Sequence, residues 1–165
     1  MEIGSSEAFL EYFEGIRGRT RRVITCIPPT HLEWAPAPGK FTLGDLVRHV
    51  AATERYMFTE NVQGRPSRYP GHGRELADGF DAVLAYLDRC HAETVAIIGA
   101  LTPDDLARKC QTPAGTPITV WKWLRAMVEH EIHHRGQLYL MLGLLGVPTP
   151  PIFGLTSEEV RARSV

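Results

Sequence analysis

Apolar side chains recur at steps of three and four along most of the chain, which is the spacing of one face of an α-helix. This pattern predicts four long helices, at about residues 5–26, 42–63, 74–101 and 118–145. Thr42 and Asp45 have the spacing of a capping box, and Thr102-Pro103 predicts the start of a short helical turn. Residues 109–117 are predicted to be a loop, and residues 156–164 a short capped helix or a frayed tail.

Four amphipathic helices without a run of alternating β-branched residues predict an all-α four-helix bundle, formed as a single domain of residues 1–165. The connections 27–41 and 102–117 are longer than the usual helix hairpins of about two to eight residues. Crossover connections therefore remain open, and the pattern does not fix the order of the helices in the bundle.

Charge and composition narrow the function classes. Eighteen basic and nineteen acidic residues give a net charge of -1, which offers no field for binding nucleic acid or an anionic membrane. The cysteines are three in number and lie outside any C-x-x-C pattern, as expected in a reducing cytoplasm. No apolar run approaches ~18 residues and no signal peptide is evident, so neither export nor membrane spanning is expected.

The strongest candidate for chemistry lies in the last long helix, within the segment HEIHHRGQ. His130 and His134 are four residues apart on its apolar face, so their Cβ atoms lie about 5 to 6 Å apart and both rings point inward. Two neutral imidazoles in an apolar stripe have up to four ring nitrogens that need partners. A shared cation satisfies two of them at once, and the pair therefore predicts a metal site.

A metal site with catalytic potential needs a third protein ligand and an open position. His133 is disfavoured because it projects ~100° from His134 on a straight helix. His49 on the second helix and His91 on the third remain, and periodicity slightly favours His91. The residues alone do not decide between them. Side chains that could orient ligands or substrate are Tyr56, Glu131, Arg135 and Gln137, and none receives a catalytic role.

The string from His130 to His134 also spells H-E-x-x-H, the zinc peptidase motif in which Glu131 is the general base. Gln137 and Leu140 stand where the metzincin extension requires Gly and His. No strand is predicted that could align a peptide substrate. A zinc peptidase is therefore the least favoured alternative.

The chain also resembles the DinB/YfiT-like family of small metal-binding four-helix proteins. The resemblance rests on FTLGDLVRHVAATE, which contains His49, and on HEIHHRGQLYLMLGLLGVPTPP near the end of the bundle. It maps the family's ligands onto His49, His130 and His134, and this resemblance selects His49 over His91. It further implies a divalent cation, commonly zinc or nickel, and often a homodimer.

Relatives in this family include thiol-dependent transferases and isomerases. The resemblance thus implies a metal-dependent enzyme that activates a thiol or water for a small-molecule substrate, with a low-molecular-weight thiol as cosubstrate. A non-catalytic, metal-stabilised binding or stress-response protein is the alternative. A fourth protein ligand, with His91 as the obvious donor, would instead favour a structural protein in which the metal only clamps the second and fourth helices together.

Overall fold

The computed structural model describes residues 3–165, and helices account for most of them. The helices are α1 (Ser6–Ile24), α2 (Leu43–Thr53), α3 (Thr59–Val62), α4 (Phe80–Gly99), α5 (Pro103–Ala107), α6 (Val120–Leu144) and α7 (Ser157–Arg163). A π-helical turn, Glu54–Phe58, joins α2 to α3, and a 3-10 turn, Pro29–His31, follows α1. Across residues 3–165, no helix is both long enough and apolar enough to cross a bilayer.

The four long helical segments form the predicted all-α four-helix bundle, and their contacts settle the order that the sequence left open. Both α1 and α2 pack mainly against α4 and α6. Consequently α1 lies diagonally across from α2, and α4 lies diagonally across from α6. The long connections 25–42 and 100–119 each cross an end of the bundle, which explains why they exceed the length of a helix hairpin.

Side chains at the helix ends explain where several helices begin. The predicted capping box at Thr42 and Asp45 is confirmed, since each side chain bonds to the other residue's backbone N–H. The same reciprocal pair starts α5 at Thr102 and α7 at Thr156. These caps satisfy N–H groups that a helix leaves unpaired in its first turn.

The interior of the bundle consists of two apolar clusters with a polar layer between them. One cluster surrounds Leu43, Leu87 and Leu138, and the other surrounds Phe13 and Leu124. Buried polar and charged side chains at intermediate height along the four helices separate the clusters: Arg17, Thr20, Thr53, Glu54, Thr94, Glu131, His134 and Arg135. Because buried polar groups need partners, this layer is where chemistry or a specific ion-pair network is expected.

The predicted loop at 109–117 was wrong in part, because its ends form a small hairpin. Strand β1 (Lys109–Gln111) pairs antiparallel with β2 (Pro117–Thr119), and Cys110 lies opposite Ile118. Gly115 adopts a φ of 78° in the turn between them. Strands of three residues are too short to show the alternation that identifies a strand in a sequence.

The third long helix was predicted to begin near Arg74, but it begins at Phe80. Arg48 is fully buried and its Nε donates to the carbonyl oxygen of Ala77 at 2.8 Å, which holds that segment against α2 in a non-helical path. Gly79 then takes a φ of 88°, a conformation that L side chains rarely adopt, directly before the helix.

Candidate metal centre

Three histidine rings converge where α2 faces α6. His130 and His134 lie one turn apart on α6, and His49 projects from the adjacent side of α2. The Nε2 atom of His130 lies 3.1 Å from Nε2 of His49 and 3.1 Å from Nε2 of His134. One ring nitrogen from each residue lies within 4.8 Å of those of the other two. The structure thus brings together the three residues onto which the family resemblance maps metal ligands.

The hydrogen bond of His134 determines which of its ring nitrogens carries the proton. Nδ1 donates to Oε1 of Gln137 at 2.7 Å, and an amide oxygen can only accept. The neutral ring therefore has its lone pair on Nε2, which points toward His130. Gln137 holds His134 in the tautomer that a metal ligand requires.

Two residues from the connection between α3 and α4 hold His49 in the same way. Nδ1 of His49 lies 2.7 Å from the hydroxyl oxygen of Tyr69, and that oxygen lies 2.9 Å from Nδ1 of His72. A lone pair on Nε2 of His49 requires that Nδ1 donates to Tyr69 and that Tyr69 donates to His72. Burial raises the pKa of Tyr69 to about 12, so the phenol keeps this proton at neutral pH.

The three imidazoles are neutral over the physiological range. Burial, reinforced by neighbouring His134 and His72, lowers the pKa of His49 to about 4. Burial and the neighbouring rings of His134 and His49 lower the pKa of His130 to about 3. Burial likewise lowers the pKa of His134, against the opposing effect of its hydrogen bond to Gln137. All three rings are therefore available as metal ligands without the loss of a proton.

The donor set fits a divalent cation. A proton on Nε2 of His130 can be donated to Nε2 of either His49 or His134, but not to both. One cation, in contrast, can accept the Nε2 lone pairs of all three histidines. Tetrahedral bonds of about 2.0–2.1 Å place two ligand nitrogens about 3.3 Å apart, close to the two distances of 3.1 Å. Among residues 3–165 no cysteine, aspartate, glutamate or further histidine joins the group. A three-histidine site of this kind could bind a metal ion; that it does so stays a prediction.

His91, which periodicity slightly favoured as a ligand, lies apart from this group. Its Nδ1 is 2.9 Å from Oε1 of Glu54, and its Nε2 is 3.0 Å from Oε1 of Glu14. Both ring nitrogens therefore face carboxylates. Burial opposes the charge on this ring, but the hydrogen bond and charge of Glu54 outweigh it and raise the pKa of His91. Both ring nitrogens of His91 are thus engaged by the carboxylates of Glu14 and Glu54, so His91 is not placed to supply a fourth ligand.

Glu131 also points away from the three histidines. Its carboxylate lies 2.9 Å from Arg17, which bridges it to Glu54, and the side chain is only 3% exposed. Because its carboxylate is buried and paired with Arg17, Glu131 is not placed to act as a general base on a solvent molecule at the metal. His133 is exposed and outside the group, as its direction on the helix predicted.

Of the four side chains considered as orienting groups, Gln137 alone contacts one of the three histidines within the described structure. Arg135 donates to the carbonyl oxygen of Ile16, and Tyr56 packs against Arg55. The sequence reading missed Tyr69 and His72, because they lie in a connection without periodicity. Their only signal is the presence of a tyrosine and a histidine within the short proline- and glycine-rich segment PSRYPGHG.

Comparison with known proteins places this chain in a family. A model of the DinB superfamily matches residues 12–138, which is more than half of the chain. The chain belongs to the DinB superfamily. This membership confirms the resemblance seen in the sequence. Among curated proteins this DinB protein is similar to YjoA of Bacillus subtilis (strain 168), with 26% identity over 152 residues that cover 90% of this chain and 96% of YjoA.

Solved structures share the fold. A DinB-like protein from Bacillus cereus matches with a TM-score of 0.74 and 19% identity over 88% of this chain and 95% of that one. The structure of YjoA matches with a TM-score of 0.72 and 24% identity over 88% and 96%. The four-helix bundle protein TT2238 matches with a TM-score of 0.64 and 23% identity over 82% of this chain and 99% of that one. At these identities the likeness supports the fold of the DinB protein and not an activity.

Proposed function

We propose that this DinB protein binds one divalent cation, zinc or nickel, through Nε2 of His49, His130 and His134. The convergence of three imidazole nitrogens carries this proposal, since Nε2 of His130 lies 3.1 Å from Nε2 of both His49 and His134. The hydrogen bond from His134 to Gln137 supports it, because it leaves Nε2 of His134 with a free lone pair. The hydroxyl of Tyr69, 2.7 Å from Nδ1 of His49, can accept the proton of the corresponding His49 tautomer. Three neutral ligands would leave the charge of the cation uncompensated.

We further propose that the site activates a low-molecular-weight thiol, or water, for reaction with a small molecule. His49, His130 and His134 would hold the cation, and a divalent cation with three neutral ligands would lower the pKa of a thiol or water bound to it. In a transferase reaction, the thiol would lose its proton to solvent, and its sulfur would form a bond to an electrophilic carbon of the acceptor. The leaving group departs with the electron pair of the bond that breaks.

The alternatives are weaker on specific grounds. A purely structural clamp usually has four protein ligands, and His91, the expected fourth, is held by Glu14 and Glu54. A zinc peptidase needs Glu131 as its base, but Arg17 holds that carboxylate in the interior. The homodimer implied by the resemblance and the cytoplasmic location expected from the sequence stay predictions, and light scattering of the purified protein tests the first.

Metal analysis of untagged protein tests the ligand set. Wild-type protein should take up one zinc or nickel ion per chain, and His49→Ala, His130→Ala and His134→Ala should each lose it. His133→Ala is the matched control, because His133 lies on the same helix but is exposed. Full occupancy in His49→Ala, or loss of metal in His133→Ala, contradicts the assignment.

The activity is tested with thiols and electrophilic acceptors in the presence and absence of a chelator. Turnover should require metal and should be absent from His49→Ala. Turnover that persists after complete metal removal would exclude the proposed chemistry. One bound metal without turnover across chemically diverse thiols and acceptors would favour the non-catalytic alternative.

A further inference from the structure

A cleft opens beside His134, between the connection from α1 to α2 and the outer side of α6. Its volume is about 580 Å³, and the residues that line it include Lys40, Phe41, Leu46, His134, Leu140 and Met141. Pockets for small ligands typically occupy about 300–1,000 Å³. The cleft is thus large enough for a substrate, and His134 places the candidate metal centre at its wall.

The walls of the cleft are mainly apolar. Phe41 and Leu46 line it on the side of α2, and Leu140 and Met141 line it on the side of α6. Leu140 is 66% exposed, and Leu144, one turn further along α6, is 62% exposed. Exposed apolar side chains grouped beside a cavity are typical of a binding surface, whereas single exposed ones carry no meaning. These walls favour a ligand with an apolar body.

Lys40 is the one residue with a full charge among those that line this cleft. Glu33 and Asp45, the acidic residues that flank it in the sequence, both pair with the buried guanidinium of Arg48. The backbone N–H of Lys40 donates to the carbonyl oxygen of Ala37, which fixes the turn that carries it. An anionic group on the ligand would find its complement at this ammonium.

The wall that carries Lys40 and Phe41 is held in place at both sides. The backbone N–H of Leu43 donates to Trp34 at 3.1 Å, and that of Gly44 donates to Leu32 at 2.6 Å. Pro36 and Pro38 further restrict the segment between these anchors. A wall fixed in this way loses little freedom when a ligand binds, so the cleft is pre-formed.

We infer that this cleft binds the non-thiol substrate, and that this substrate has an apolar, ring-sized body and one anionic group. The body would lie between Phe41 and Leu140 beside His134, and the anion would lie next to Lys40. The role as substrate rests on the proposed function of the metal centre. Binding itself depends on the cleft and is expected without metal.

Two matched probes test the assignment on the full-length protein: naphthalene-2-sulfonate and its neutral analogue naphthalene-2-sulfonamide. Calorimetric titration of metal-free and zinc-loaded protein should show saturable binding of one sulfonate per chain, with the sulfonamide weaker by about two- to five-fold, as expected for one exposed charge pair. Lys40→Ala should remove this difference. Lys122→Ala, a control at an exposed lysine on the same protein, should retain it.

Leu140→Glu tests the apolar wall and should weaken both probes by at least tenfold, because it places a carboxylate against the bound body. Position 140 is exposed, and circular dichroism checks that the variant is folded. The inference is overturned if wild-type protein shows no saturable binding of the sulfonate. It is also overturned if Lys40→Ala and Leu140→Glu bind both probes as wild type does. Zinc uptake without probe binding refutes the cleft alone, and probe binding without zinc uptake refutes the metal centre alone.

Discussion

Replacing Tyr69 by phenylalanine removes one oxygen atom from the hydrogen bonds behind His49. In the wild-type protein this oxygen lies 2.7 Å from Nδ1 of His49 and 2.9 Å from Nδ1 of His72. The phenylalanine ring could neither accept from His49 nor donate to His72. The tautomer of His49 with its lone pair on Nε2 would lose its partner, while the other tautomer would gain in relative population.

The expected loss of metal affinity follows from this geometry. Removal of the partner of a ligand histidine typically costs 10- to 100-fold in affinity, which corresponds to about 1.4–2.8 kcal/mol. Tyr69 is half-buried, so water can replace part of the lost bond. We therefore expect a loss of about tenfold for Tyr69→Phe, at the lower end of that range. His72→Phe should cost less, because the oxygen of Tyr69 still accepts from His49.

Competition with a chromophoric chelator measures the zinc affinity of each variant. Tyr139→Phe is the matched control, since it also loses one hydroxyl bond, of 2.6 Å to the carbonyl oxygen of Pro150, but contacts none of the three histidines. Long-range nitrogen NMR of metal-free protein reports the tautomer of His49 directly. An affinity of Tyr69→Phe within twofold of wild type, or an equal loss in Tyr139→Phe, would refute the reasoning.

Two further predictions concern the buried ion pairs and the three histidines. Arg17→Met should lower the free energy of unfolding by about 3–5 kcal/mol, because Glu54 and Glu131 would stay buried without their shared cation. Urea denaturation measures this, and Arg21→Met, which breaks the exposed pair with Asp88, should cost less than about 1 kcal/mol. Metal-free protein should lose stability as the pH falls from about 6.5, the usual histidine value, because burial lowers the pKa of His49 to about 4 and of His130 to about 3. Protons then bind the unfolded chain first, and His49→Ala should flatten this dependence; an unchanged slope would contradict it.

Helical periodicity predicted most of the fold because each of the four long helical segments has one continuous apolar face. The same periodicity placed His130 and His134 on one inward face, and they do converge. It could not choose between His49 and His91, since both point into the bundle. Which interior neighbour each one meets depends on the order of the helices, and a single-helix pattern contains no information on that order.

Features that depend on distant backbone contacts were the ones that the sequence did not predict. The start of α4 is delayed to Phe80 because Arg48, about thirty residues upstream, binds the carbonyl oxygen of Ala77. Tyr69 reaches His49 only because the connection between α3 and α4 folds back over α2. Neither contact leaves a periodic signal, since each joins a helix to an irregular segment.

The ion pairs of the polar layer explain how the three histidines come to face one another. On α6, Glu131 directly follows His130 and projects about 100° away from it; on α2, the π-helical turn begins at Glu54, just after the turn of His49 and Thr53. Both glutamates meet Arg17 of α1 in the interior. Because one guanidinium bridges the two helices, neither can rotate about its axis without separating a buried carboxylate from its cation. That constraint fixes the rotation of α2 and α6 at which His49 faces His130, so the network positions the candidate ligands without touching them.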